Sequence, residues 1–237
     1  MTVAVLKNRT QVSDARRELK RRGLDCTSSF ATKVLRKLGI LPGIDVGDRI
    51  KSWDVLQTVD FIGSRLPKDV PVLDIGAHQC EVLPALHRLG YTKLAGADLN
   101  PRIVEMPHAD VVRYLCQDFL DLPVEDGTFT AVTAISVIEH GFDGPRLLAE
   151  ISRVLNPGGY FLASVDYWPD KIDTSAVLEY GMDWRIFSEE ELRAFLHQAA
   201  GHGLLPVGEE DFGARDRVVT WNGRSYTFAW IALRKDS

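Results

Sequence analysis

The chain has 237 residues, 45% hydrophobic and 26% charged, which is enough for one sizeable α/β core with some chain left for a cap. A formal net charge of −5 argues against a constitutive nucleic-acid binder. Cys26, Cys80 and Cys116 are an odd set without close pairing, which excludes a disulfide framework and a CxxC metal site. With no signal-peptide run and no membrane-length apolar stretch, the expectation is a soluble cytoplasmic protein with reduced thiols.

Residues 1–66 read as helical, without a strand pattern. Ser13 is placed to cap a charged helix ending at Gly23. The cluster Arg16, Arg17, Lys20, Arg21 and Arg22 reads as a solvated face of that helix. Phe30, Val34, Leu35 and Leu38 recur at helical spacing and stop at Gly39. After the turn Leu41-Pro42-Gly43, Ser52 begins a third helix with Val55, Leu56, Val59 and Ile62 on one face. Three amphipathic helices before a sheet predict a cap that buries its apolar faces against the main domain, residues 67–237.

From Val70 the texture changes. Val70-Pro71-Val72-Leu73-Asp74-Ile75 reads as a strand bounded by Gly76, and the helix through Val82, Leu83, Leu86 and Leu89 starts near Cys80 or Glu81, so that Pro84 falls in its first turn. Further strands are predicted over Lys93–Asp98, Val111–Cys116, Phe129–Ile135 and Tyr160–Val165. Between the last two, Asp143 caps a helix with Pro145 in its first turn, and Asn156-Pro157-Gly158-Gly159 ends it. Strands alternating with helices imply a mostly parallel sheet. Ser188-Glu189-Glu190-Glu191 is a capping box for a helix carrying Leu192, Phe195, Leu196 and Ala199. Two β-rich runs, 217–221 and 225–233, flank Asn222-Gly223, a type I′ hairpin signal.

In an open parallel sheet, ligands bind at the carboxyl ends of the strands. Asp98 lies 22 positions after Gly76, at the end of the second predicted strand, where a carboxylate can accept from both ribose hydroxyls of a nucleoside. Gly76 permits close backbone approach. Asp118 can accept from an exocyclic amine, and Phe119 offers an apolar surface beside a purine.

The segments VLDIGAHQC, AGADLNP, CQDFLDLP, FTAVTAISVIEH and LAEISRVLNPGGYFLASV resemble, in order and spacing, the successive motifs of class I S-adenosylmethionine-dependent methyltransferases. The resemblance covers roughly residues 52–237. It implies a Rossmann-like, mostly parallel seven-stranded sheet with an antiparallel C-terminal hairpin strand, below a helical N-terminal cap. It implies S-adenosylmethionine as cofactor, with S-adenosylhomocysteine as product. By the same resemblance Asp74 stands near the methionine amino group, and Gly76, Ala77 and His78 pass the methionine end. Asp98 with Leu99 faces the ribose, Asp118 with Phe119 the adenine, and Ile135 and Ser136 the methionine portion. The first motif departs from acid-x-Gly-x-Gly-x-Gly, because His78 and Cys80 replace its second and third glycines.

An oxygen or nitrogen acceptor of high pKa needs a base. His140, after the fourth predicted strand, is the leading candidate, with Asp166 and Tyr167 after the fifth as the others. Glu139 reads as a loop-organising carboxylate at the acceptor pocket, walled by Trp168 and Trp184 and closed from above by Trp53. Asp166, Asp170 and Asp173 have no diagnostic ligand spacing, so no metal is expected. The reading is methyl transfer to an oxygen or nitrogen of a small molecule, a sugar or secondary metabolite, by a monomer or homodimer, with no nucleic-acid or membrane partner. Two rivals stand beside it. A nicotinamide-dependent oxidoreductase requires a Gly-x-Gly-x-x-Gly loop that is absent. A methyltransferase-like binding protein draws support from His78 and Cys80, while Asp74, Asp98 and Asp118 count against it.

Overall fold

The computed structural model describes residues 1–175 and 177–237. In chain order the elements are β1 (Val3–Val5), α1 (Arg9–Arg21), α2 (Phe30–Lys37), α3 (Ser52–Arg65), β2 (Pro71–Ile75), α4 (Val82–Arg88), β3 (Lys93–Asp98), β4 (Val112–Cys116), β5 (Phe129–Ile135), α5 (Gly144–Val154), β6 (Leu155–Tyr167), β7 (Leu178–Glu179), β8 (Met182–Asp183), α6 (Glu189–Gly201), β9 (Leu204–Pro206), β10 (Val219–Trp221) and β11 (Arg224–Lys235). The main sheet runs β1-β11-β6-β5-β2-β3-β4. Its pairs from β6 through β4 are parallel, and β11 is antiparallel to β6. Among the described residues no helix is long and apolar enough to cross a membrane.

Local signals set most of these boundaries. The Asp143 carboxylate accepts from the Arg146 amide, with Pro145 in the first turn of α5. Ser188 and Glu191 form the reciprocal capping box of α6. Asn222 and Gly223 both take positive φ, 43° and 70°, as a type I′ turn requires between β10 and β11.

Seven strands lie along the main path, and β9 and β10 pair β11 besides. The structure corrects four expectations, the first in the N-terminal segment. The outer edge of β11 is covered in succession by β10, β1 and β9, so its unpaired amides and carbonyls are not left open. Residues 1–66 are thus not all helical, since Val3, Ala4 and Val5 pair with Ile231, Trp230 and Ala229. A three-residue strand is too short to show a period. The cap of α1 is Asn8, whose side chain accepts from the Gln11 amide, while the Ser13 hydroxyl donates back to the Arg9 carbonyl.

The third correction concerns α2. It buries none of its residues; Phe30 is 83% and Leu38 66% exposed. Polar tethers hold it instead, from the Arg36 guanidinium to Ser28 Oγ, Asp45 and the Pro42 carbonyl. The fourth concerns the basic cluster. Arg17, Lys20, Arg21 and Arg22 form exposed or partly exposed pairs, but Arg16 is buried. Its guanidinium donates to Ser52 Oγ at 2.9 Å, to Asp25 at 2.8 Å and to both oxygens of Glu81 at 2.8 and 2.6 Å. One side chain thereby joins α1 to the start of α3 and to the residue preceding α4.

The two faces of the sheet are covered separately. On one lie α1, α3 and α4, contributing Val12, Leu19, Val59, Ile62, Leu83 and Leu86. On the other lie α5 and α6, with Leu148, Ile151, Phe195 and Leu196. Alternation along each strand decides which face a residue serves.

Removing one partner of a buried ion pair leaves the other uncompensated, at about 3–5 kcal/mol. Arg16→Ala is expected to lose that much in urea unfolding, and Arg17→Ala, at a side chain 78% exposed, less than about 1 kcal/mol. Equal losses would show that the Arg16–Glu81 pair does not hold the N-terminal helices.

Candidate functional site

Strand alternation gathers a polar stripe on the face that α3 covers. Asp74 on β2 accepts from the Thr133 hydroxyl of β5 at 2.5 Å. Ser164 on β6 donates to Asp54 of α3 at 3.0 Å. Two residues along β6, Asp166 accepts from the Trp184 indole N–H at 2.9 Å, and the Tyr226 hydroxyl of β11 lies beside it. Asp54, Asp74 and Glu139 are completely buried, and Asp166 is 4% exposed.

This stripe and its loops hold every buried side-chain polar atom that lacks a hydrogen-bond partner among the described residues. Those atoms are Asp54 Oδ1, Asp74 Oδ2, His78 Nε2, both oxygens of Glu139, His140 Nδ1 and Asp166 Oδ1. They come from five different segments. Buried polar groups are ordinarily satisfied, so a cluster of exceptions at strand ends marks a site shaped for something other than folding.

The loop after β2 is built from its neighbours. Gly76 has φ +66°, and a Cβ there would collide with the Val137 side chain, so the close approach that demands glycine is made by the loop after β5. The Ala77 amide donates to the Ala97 carbonyl. Asp98 accepts from the His78 amide at 3.0 Å and from the Asn100 amide at 2.8 Å, and so fixes both flanking loops while its carboxylate stays half-buried. Leu99 beside it is exposed. The Cys80 thiol turns inward against Asp74. Asp118 accepts from the Leu120 amide, and Phe119 packs half-buried against the α5 side of the core. The Gln117 amide donates to the Asp98 carbonyl, which ties the last two loops together.

At the end of β5, Ile135 is buried and Ser136 takes φ +49°, a left-handed conformation uncommon for serine. Ser136 Oγ accepts from Lys51 Nζ, which also lies 4.0 Å from the Phe228 ring centroid. Lys51, Asp54, Thr133, Ser164 and Tyr226 were not among the sequence candidates. Asp54 carried a signal: it is four residues before Thr58 and eight before Ile62, on the buried face of α3. Tyr167 leaves the candidate set, because it faces the other side of β6 and its hydroxyl donates to the Phe212 carbonyl at 2.8 Å. Trp53 lies in the core cluster, and Trp168 is half-buried with the Arg217 guanidinium 4.3 Å above its ring, whereas Trp184 reaches Asp166.

Burial dominates the electrostatics. It pushes the carboxyls of Asp54 and Asp74 up to about 7, against the opposing charge of Lys51 in the first case and the Thr133 hydroxyl in the second. Burial raises Glu139 well above the usual carboxylate range, and the charge of Asp166 adds to it. Asp166 is raised by burial too, against Lys51 and the Trp184 and Tyr226 donors. Burial and then Lys51 lower His140 to about 4, so its imidazole is neutral at neutral pH. Among the described residues no group of three or more His, Cys, Asp or Glu side chains is arranged to hold a metal ion.

A carboxyl in an unfolded chain ionises near about 4. Between that value and about 7 folded Asp54 holds the extra proton, so its contribution to stability is full below the unfolded value and is lost as pH rises through about 7. Wild type is therefore expected to lose urea stability relative to Asp54→Asn from about pH 4 to about pH 7 and to level off above that. Parallel curves would place Asp54 in water.

Residues 73–163 match the family described as methyltransferase domain. A ubiquinone biosynthesis O-methyltransferase of Xanthomonas oryzae pv. oryzae is 30% identical over 120 residues, which cover 47% of this chain and 50% of that protein. The chain thus spans about half the length of that relative. The 1,6-didemethyltoxoflavin-N1-methyltransferase of Burkholderia thailandensis, solved with 1,6-didemethyltoxoflavin and S-adenosylhomocysteine bound, has the same fold at TM-score 0.60 and 20% identity, covering 78% of this chain and 79% of that one. Geranyl diphosphate C-methyltransferase of Streptomyces coelicolor A3(2) superposes at TM-score 0.61 and 20% identity, covering 89% and 85%. The match to a methyltransferase domain over residues 73–163 thus falls on β2 through β6, in a mostly parallel sheet of the fold that these solved methyltransferases share.

Proposed function

We propose that the protein transfers a methyl group from S-adenosylmethionine to an oxygen or nitrogen of a small molecule, of the sugar or secondary-metabolite kind. The observation that carries this reading is the convergence of unpartnered buried polar atoms at the carboxyl ends of β2, β5 and β6. The donor set fits the cofactor. Asp74 Oδ2 is a buried acceptor awaiting a donor, as an amino group would be, and Asp98 keeps acceptor capacity beyond its two backbone amides, as ribose hydroxyls require.

When bound, S-adenosylmethionine supplies a methyl group already activated on a sulfonium. The chain's own residues then have three tasks. Asp74, Asp98 and Asp118, with the Gly76–His78 loop, bind and orient. The apolar walls around Trp184, Tyr226 and Phe228 exclude water and strengthen each charge interaction inside. His140 takes the acceptor's proton at its open Nδ1, which burial keeps neutral. The relatives' small-molecule substrates support an acceptor of this size, and a soluble monomer or homodimer is the form in which we place it.

His78 and Cys80 favour a second reading, a methyltransferase-like binding protein. Both lie in the motif loop, and Cys80 fills space against Asp74.

Calorimetry separates these readings. S-adenosylhomocysteine is expected to bind and NAD not to; no affinity for the sulfonium cofactor or its product overturns the proposal. Hydrogen bonds to a charged group are worth about 1.5–3 kcal/mol, so Asp98→Ala is expected to weaken S-adenosylhomocysteine binding about 10- to 100-fold. Once an acceptor is in hand, His140→Ala is expected to lower kcat by about 10²-fold or more. With cofactor and acceptor both saturating, kcat is expected to stay level on the acid side until pH approaches about 4, because His140 must be neutral to act. Unchanged turnover in His140→Ala would assign the base elsewhere. Binding of the product without turnover on any acceptor is the result the second reading predicts.

A further inference from the structure

Beyond the residues assigned to the cofactor, the stripe ends in three carboxylates, and with His140 as the base none of them has a task in the methyl transfer proposed above. Asp54 comes from α3, Glu139 from the loop after β5 and Asp166 from β6. Each feels at least one other: Asp166 acts on Asp54 and on Glu139. Four of their six oxygens, Asp54 Oδ1, Glu139 Oε1 and Oε2 and Asp166 Oδ1, have no hydrogen-bond partner by distance and angle among the described residues, with the Tyr226 hydroxyl beside Asp166, although the three residues are all more than nine-tenths buried. The remaining Asp54 and Asp166 oxygens are held by Ser164 and Trp184, which fixes how both side chains are presented.

The surrounding groups do not neutralise this cluster. From the segment before α3 comes one cation, Lys51, whose ammonium is engaged by Ser136 Oγ and the Phe228 ring and forms no ion pair with a carboxylate among the described residues. From β7 comes a further acid, Glu179, and from β11 the Tyr226 hydroxyl. His140 is neutral. Aromatic faces close the rest: Trp184 meets Tyr226 at 5.7 Å between centroids, and Tyr226 meets Phe228 at 6.2 Å. Lys51 shows that an ammonium is accepted against this aromatic wall.

We infer that Asp54, Glu139 and Asp166 form an ammonium subsite, and that the acceptor molecule carries a protonated amine. Open carboxylate oxygens want donors, aromatic faces attract cations, and the groups that face one another here include more acids than bases. Without ligand, protons supply the missing positive charge, which is the state that burial of the three carboxyls favours. An ammonium bound among the three carboxyls displaces a proton, so its binding releases protons and strengthens as pH rises. A neutral polyol would satisfy the same oxygens with no proton released. The inference leans on the methyl-transfer reading only for the word acceptor; the subsite itself is a property of these side chains.

The test uses the full chain with benzylamine and benzyl alcohol as probes, by calorimetry in two buffers of different ionisation enthalpy, with S-adenosylhomocysteine titrated separately. Benzylamine is expected to bind at least about tenfold more tightly than benzyl alcohol. Its affinity is expected to rise from about pH 6 to about pH 8, by up to about tenfold per pH unit for one displaced proton, with heats that differ between the buffers. Asp166→Asn and Glu139→Gln, both isosteric, are each expected to weaken benzylamine at least about tenfold and to leave S-adenosylhomocysteine binding within about threefold. Equal affinity for amine and alcohol, no proton release, or benzylamine binding unaltered in both variants overturns the subsite. Binding of S-adenosylhomocysteine alongside such a result leaves methyl transfer standing. Amine binding with proton release but no affinity for S-adenosylhomocysteine does the reverse.

Discussion

Desolvated carboxylates without a full set of donors are the constraint around which this molecule is arranged. Asp54, Asp74, Glu139 and Asp166 are all buried on the α3 side of one sheet, and each has an oxygen without a hydrogen-bond partner among the described residues. An isolated buried charge is so unfavourable that such groups hold a proton instead. The fold maintains them by packing on every other side: α3 over the strand ends, the Val137 loop against Gly76, and the β11 aromatics beneath.

The two faces of the sheet divide the work. Toward α5 and α6 the strand side chains are mostly apolar and well covered, and Tyr167 among them finds the Phe212 carbonyl. Toward α3 the same strands present Asp74, Thr133, Ser164 and Asp166 in alternate positions. A period of two therefore separates stability from chemistry within single strands. The N-terminal segment serves both: β1 closes the edge of β11, Arg16 fastens the helices through Glu81, and the start of α3 delivers Lys51 and Asp54 to the site.

Much of this was legible in the residues. Caps and turns are local, so Asp143, Ser188 and Asn222-Gly223 could be read where they stand. Strand ends in a parallel sheet fall on one edge, so Asp74, Asp98, His140 and Asp166 could be grouped without a structure. What could not be read depends on distant partners. Arg16 looks like its exposed neighbours until Glu81, 65 residues on, is placed against it. Lys51 acquires meaning only from Ser136 and Phe228. The facing of Tyr167, one residue beyond Asp166, turns on strand register. The bare apolar side of α2 shows the converse: helical spacing was present, and the packing it implied was not.

The state of the buried carboxyls can be observed without any ligand, by following side-chain carboxyl carbon resonances through a pH titration of the folded protein. The account predicts that Asp54 and Asp74 change ionisation near pH 7, with Glu139 also raised far from the ordinary carboxylate range. If all of them ionised at about 4, as free side chains do, the stripe would be solvated and the account of the site would be wrong.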